Sequence, residues 1–196
     1  MKYFENLLDS LYEMADEHGV RWEAAPILSD TRFFEQSGSH TSKAHHYGKY
    51  GLLLHTWEVC SLVIQNGRFF NSNRTDSVNI SELFISALYH DYGKVWDYSI
   101  NPITKEYETN TETKHRRMVH HISRSAIEWE KIAARLNADE KFTHRVTHNI
   151  LSHHGRREWG SPVAPLTREA WILHLCDSLS ARADDCDRVD LVTIKQ

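Results

Sequence analysis

The stretch Ser81-Glu-Leu-Phe-Ile-Ser-Ala-Leu-Tyr-His90-Asp91-Tyr-Gly-Lys94 decides how this chain reads. Leu83, Phe84, Ala87 and Leu88 recur at the three- and four-residue spacing of a helix with one buried face. Ser81 is the expected N-cap, and the helix is expected to end at or near His90–Asp91, with Gly93 just beyond. An imidazole beside a carboxylate at a helix end is unremarkable alone, and a surface helix end is the plainer reading. The residues on either side of this helix change that balance.

Working outward, 52–70 reads as an apolar helix, and His55 follows Leu52-Leu-Leu54 within it. Helical patterns return at 116–136, 139–153 and 167–186. His120–His121 lies near the start of the first, and His153–His154 ends the second just before Gly155. Asp177 lies inside the third, in Trp171-Ile-Leu-His-Leu-Cys-Asp177. A charged group in an apolar run is costly unless it is paired or binds a metal. Imidazole and carboxylate suit divalent transition metals. Successive helices that each supply one or two such groups can converge inside a bundle.

Segment 2–18 is a further helix, stopped by Gly19. Pro26, Gly38 and Gly48 interrupt 22–50, which reads as a long irregular connection, and 71–79 reads as a loop. Residues 98–114 are polar and Thr-rich, either a hairpin or a loop. The expected fold is all-α: one domain over 1–196, a bundle of about six or seven helices, with at most one small hairpin near 98–114.

The 40% hydrophobic content and six Trp among 196 residues describe a globular chain able to bury a core. The net charge of −4 argues mildly against a duplex-binding protein, although a local basic groove stays open. Three cysteines, with no CxxC pair, point to core packing and a reducing compartment rather than a disulfide framework. No signal-like N-terminus and no run of 18 apolar residues is present, so the expectation is a cytoplasmic protein without membrane partners. The 14 histidines are the compositional outlier, and they are dispersed rather than clustered as a tag.

The order H…HD…H…H…D across successive helices resembles the HD-domain phosphohydrolase superfamily. The resemblance runs from about His45 to Asp185. Its specific blocks are His45-His-Tyr-Gly-Lys-Tyr-Gly-Leu-Leu-Leu-His55-Thr, His90-Asp-Tyr-Gly-Lys94, Ser152-His-His-Gly-Arg-Arg-Glu-Trp-Gly-Ser-Pro162 and Glu169-Ala-Trp-Ile-Leu-His-Leu-Cys-Asp177-Ser-Leu-Ser-Ala181. Together they look most like the branch containing bacterial HD-type 3′→5′ exoribonucleases.

The resemblance implies a site. His55, His90, Asp91 and Asp177 match the positions that bind a first metal, with Asp91 placed to bridge to a second. His121, and one or both of His153 and His154, match the second-metal positions. This chain has His120 where relatives have a small residue, so the choice lies between His120 and His121, with His121 favoured. The implied cofactors are one or two divalent ions (Mn, Fe, Co, Ni or Zn, with Mg also open). Such ions activate water near neutral pH. Asp91 and Lys94 are the expected catalytic residues, with Lys94 the cation nearest the reacting phosphate. His45 and His46 are expected at the pocket mouth, against substrate phosphate. Arg156 and Arg157 either hold a phosphate or form an exposed basic loop. His144 and His148 read as surface residues, and His174, three residues before Asp177, as a support for the ligands.

Three functions fit. Hydrolysis of nucleoside or deoxynucleoside phosphates comes first, because the charge is negative and the residues before the first block leave little room for a nucleic-acid-binding domain. A 3′→5′ exonuclease on single-stranded RNA or DNA comes second, favoured by the motif blocks. A non-catalytic, metal-bound sensing module comes third, disfavoured by the full ligand set. The expected partner is a nucleotide or a single strand, and small HD enzymes often form dimers or hexamers.

Overall fold

The structure, a computed structural model, describes residues 1–186. Six helices of ten or more residues carry the described fold. They are α1 (Lys2–Glu17), α4 (Gly51–Asn73), α5 (Ile80–Tyr89), α8 (His121–Leu136), α9 (Glu140–Ser152) and α10 (Arg168–Cys186). Shorter helices connect them: α2 (Arg21–Leu28), α3 (Thr31–Glu35), α6 (Lys94–Asp97) and α7 (His115–Met118). Of the two readings of 98–114, the hairpin is the one found, with β1 (Tyr98–Ile100) antiparallel to β2 (Tyr107–Thr109) and Ser99 opposite Glu108. No helix among the described residues is long and apolar enough to cross a membrane.

Helix α5 is the axis of the bundle. Leu83, Phe84, Ile85, Ala87, Leu88 and Tyr89 are all fully buried, so this helix is apolar on every side rather than on one stripe. It packs against α4, α9 and α10. Trp129 of α8 closes the core against Tyr89 and donates its indole N–H to the Thr143 carbonyl at 3.2 Å. Cys60 and Cys176 are free and buried, as core packing requires; the side chain of Cys186 lies outside the described residues.

Three local expectations differ from what is found. Asn79, not Ser81, caps α5: its side chain accepts from the Glu82 amide at 3.0 Å, while Ser81 Oγ donates to the His18 carbonyl. The stretch 22–50 is not wholly irregular, because α2 and α3 occupy most of its first half. Pro26 inside α2 forfeits one intrahelical bond, but burial of Ala24, Ile27 and Leu28 holds the helix in place. Finally, the pattern over 116–136 is two helices. They are separated at Val119–His120, where His120 adopts φ +68.

Candidate metal centre

The break at His120 turns His121 inward as the first residue of α8. Around it, five elements deliver side chains to one buried point. His55 comes from the second turn of α4, and His90 and Asp91 from the end of α5. Lys94 opens α6, His153 follows α9, and Asp177 lies within α10. The approach of α8 depends on Gly93. A Cβ there would sit 2.1 Å from the His121 carbonyl oxygen, so only glycine lets the two backbones meet.

Asp91 is central. Its Oδ2 lies 3.4 Å from both His55 Nε2 and His90 Nε2 and 2.6 Å from Lys94 Nζ. Its Oδ1 faces the other way, 3.4 Å from His121 Nε2 and 3.8 Å from His153 Nε2. Asp177 Oδ1 joins the first group, 3.2 Å from His55 Nε2 and 3.7 Å from His90 Nε2. Ring nitrogens of His121, His153 and His154 lie within 4.8 Å of one another, forming the second group. One carboxylate therefore stands between two donor clusters.

The histidines are held from outside the cluster. The Nδ1 of His90 bonds the Ala87 carbonyl at 2.6 Å, and that of His153 the Ile150 carbonyl at 2.7 Å. The Nδ1 of His154 bonds the Trp159 carbonyl at 2.6 Å, and that of His55 meets Ser180 Oγ at 3.0 Å. A carbonyl accepts only, so Nδ1 carries the proton in His90, His153 and His154, and each Nε2 presents its lone pair. Ser180 in turn donates to Glu58 Oε2. His174 Nδ1 donates to the His153 backbone carbonyl at 2.8 Å.

A metal fits these atoms on two grounds. Asp91 Oδ1, His121 Nε2 and His153 Nε2 are buried without a hydrogen-bond partner. Buried polar atoms are rarely left so, and these three face one another. The donor set, imidazole with carboxylate, is also that of divalent transition ions. The electrostatics agree. Burial would raise the Asp91 and Asp177 carboxyls, but the cations and hydrogen bonds around them hold both well below the usual range. Burial depresses His121 to about 4 and pushes His153 well down, so both rings are neutral at physiological pH. Burial works against charge on His55 too, yet the hydrogen bonds it donates to Asp177 and Asp91 outweigh it and raise the ring to about 9.

The remaining expected residues divide. His45 lines a cavity of about 200 Å³ with Asp91, Lys94, His154 and Asp177. His46 is turned inward instead, its Nε2 3.1 Å from Glu58 Oε2. Arg156 and Arg157 are exposed at the start of a short 3-10 helix (Arg157–Trp159), where Arg156 stacks over Trp159 at 4.9 Å. Arg182, which sequence reasoning did not single out, borders the cavity. His144 is exposed, and His148 Nε2 accepts from the Leu166 amide at 3.0 Å.

Sequence reasoning also missed Asp97 and His115. Asp97 Oδ2 accepts from the His121 amide at 3.2 Å and lies 3.4 Å from His121 Nδ1. Its Oδ1 meets His115 Nδ1 at 2.6 Å. The burial of Asp97 shows only in the fold, and nothing in its spacing, three residues past Lys94, announced its partners.

The HD domain family matches residues 52–182. The chain belongs to this family, the HD-domain phosphohydrolase superfamily. Among curated relatives, it is 34% identical over 147 residues to the 3′-5′ exoribonuclease YhaM of Bacillus subtilis, an alignment covering 75% of this chain and 43% of that protein. It is 39% identical over 113 residues to YhaM of Listeria welshimeri and 40% identical over 113 residues to YhaM of Listeria monocytogenes, each covering 58% of this chain and 34% of the relative. The chain thus spans less than half the length of the curated relatives it matches. No solved structure gives a significant match.

Proposed function

We propose that this chain removes nucleotides from the 3′ end of single-stranded RNA by metal-dependent hydrolysis of the terminal phosphodiester. The observation that carries the reading is the placement of Asp91 between two donor clusters, with unpartnered buried atoms facing one another across it. The relatives' names supply the substrate class. His55, His90, Asp177 and Asp91 Oδ2 would hold one ion; His121, His153, His154 and Asp91 Oδ1 would hold the other. Two such ions supply activated water and neutralise charge on the phosphate oxygens. Mn, Fe, Co, Ni or Zn suits a set this rich in imidazole better than Mg, which prefers oxygen ligands.

The chain's own groups do the rest. Lys94 keeps a cation beside Asp91 at the cavity wall, where charge gathers on the non-bridging oxygens as phosphorus is attacked. Burial, with Lys94 nearby, depresses His45 to about 3, so it meets the substrate as a neutral hydrogen-bonding group. Arg182 is exposed at the cavity rim and reaches a phosphate as the strand enters.

A second reading, hydrolysis of free nucleotides, is favoured by the small size of this cavity, about 200 Å³. A 5′-labelled oligoribonucleotide and a panel of nucleoside triphosphates, each incubated with Mn, Co or Ni, separate the two. Stepwise shortening with the triphosphates intact is expected. An intact oligonucleotide with phosphate, pyrophosphate or triphosphate released from the nucleotides would move the assignment to the second reading.

A further inference from the structure

Beside the metal centre lies a second and larger cleft, about 540 Å³, between the hairpin and α7. It is lined by Thr109, Thr111, Lys114, Arg116, Arg117 and His120, together with Asn110. The chain as a whole carries a charge of −4, yet this lining holds three cations and no carboxylate. Such local segregation of charge is the electrostatic footprint of a phosphate-binding surface on an otherwise acidic protein.

The cleft is tied to the metal centre by two links. At one end is His120, whose ring centroid lies 4.2 Å from that of His121. Along its floor, the Asn110 amide donates to the Asp97 carbonyl at 2.8 Å, and the Asp97 side chain holds His121. The walls are held together as well, since Arg116 Nη1 donates to Thr109 Oγ1 at 3.4 Å, joining α7 to β2. Lys114 and Arg117 remain exposed at the rim. A polymer needs a continuing track for the phosphates that follow its last one.

We infer that the Lys114–Arg116–Arg117 cleft binds the phosphodiester backbone of a single strand whose 3′ end lies in the metal centre. This rests on the exonuclease reading given above. Backbone contacts of this kind carry no sequence information, so the cleft takes any single-stranded sequence, with affinity that falls as salt rises.

The test uses the full chain and a fluorescein-labelled 12-mer oligoribonucleotide, with binding read by anisotropy in EDTA so that no turnover occurs. Three proteins are compared. They are the wild type, a cleft variant carrying Lys114→Gln and Arg117→Gln, and a remote variant carrying Arg135→Gln and Lys141→Gln. The last loses the same two charges from exposed positions elsewhere. The cleft variant is expected to bind about tenfold more weakly at low salt, with the slope of log K against log salt shallower by about 1.4, or 0.7 for each lost contact to a single strand. The remote variant is expected to track the wild type. Circular dichroism confirms that both variants are folded, and Arg117→Glu alone should weaken binding in the same direction. Equal binding by the cleft and remote variants, or no binding by the wild type, overturns the inference. Shortening of the same oligonucleotide by the wild type with Mn tests the metal centre separately, so failure of the cleft and failure of the exonuclease reading are distinct results.

Discussion

Asp91 Oδ1 and His121 Nε2 face each other at 3.4 Å, both buried and neither hydrogen-bonded. Two groups in that relation leave a lone pair and a carboxylate oxygen aimed at a common point. In a buried site a cation is the group that satisfies both.

Lys94 tests the electrostatic half of this account. Its ammonium is buried, and although burial opposes its charge, Asp91 raises its pKa. It therefore stays charged at neutral pH. Lys94→Met is expected to lower kcat by about 10²–10³-fold, the range for losing one preorganised group that stabilises transition-state charge. Metal content measured on the same variant should stay near that of the wild type. An unchanged kcat would remove Lys94 from the mechanism.

Asp97 tests the support of His121. Asp97→Asn keeps the shape and an acceptor for the His121 amide but loses the carboxylate charge that lies 3.4 Å from His121 Nδ1 and 2.6 Å from His115 Nδ1. Metal affinity should fall about 10–100-fold, as for other carboxylates behind a ligating histidine. Titration calorimetry on chelated protein measures this directly. Unchanged affinity at both ions would make Asp97 a packing residue only.

Gly93 tests the geometry that brings α8 to the site. Gly93→Ala places a methyl group within 2.1 Å of the His121 carbonyl oxygen, so the backbone must move. The folded protein should lose occupancy of the ion held by His121 before the one held by His55. A folded variant with both sites at wild-type affinity would contradict that dependence.

The His55 and His121 rings titrate in opposite directions without metal. His55, raised to about 9, favours the metal-free fold below its unfolded value of 6.5, and that contribution is lost as pH rises toward 9. His121, depressed to about 4, does the reverse: stability is lost as pH falls from 6.5 toward 4. A metal at His55 displaces its proton. Between pH 6.5 and 9, affinity at that site should therefore rise with pH, and calorimetry in two buffers of different ionisation enthalpy should show protons released on binding. Binding without proton release at pH 7.5 would show that His55 is not a ligand.

The sequence made the bundle legible because its helices are long and strongly periodic. Of the candidate site residues, His55 and Asp177 stood out because each lies in an apolar run that asks for a partner, whereas His90, Asp91, His121 and His153 stood out only through an order of blocks that resembles a known family. What stayed hidden has a common cause. Asn79 caps α5 because its amide reaches Glu82, a geometric choice between adjacent polar residues that periodicity does not make. The left-handed backbone of His120, which separates α7 from α8 and aims His121, has no compositional mark. His45 and His46 are adjacent and alike in sequence, yet one lines the cavity and the other is buried against Glu58. The basic cleft joins β2 to α7, and only the folded hairpin brings Thr109 next to Arg116.

The most direct measurement is a Mn titration of the chelated chain, wild type against Asp91→Ala, with oligoribonucleotide shortening followed on the same samples. The account predicts two ions per wild-type chain and metal-dependent shortening, with both ions weakened and turnover lost in the variant. Near-full turnover by Asp91→Ala, or shortening by either protein in excess EDTA, would contradict it.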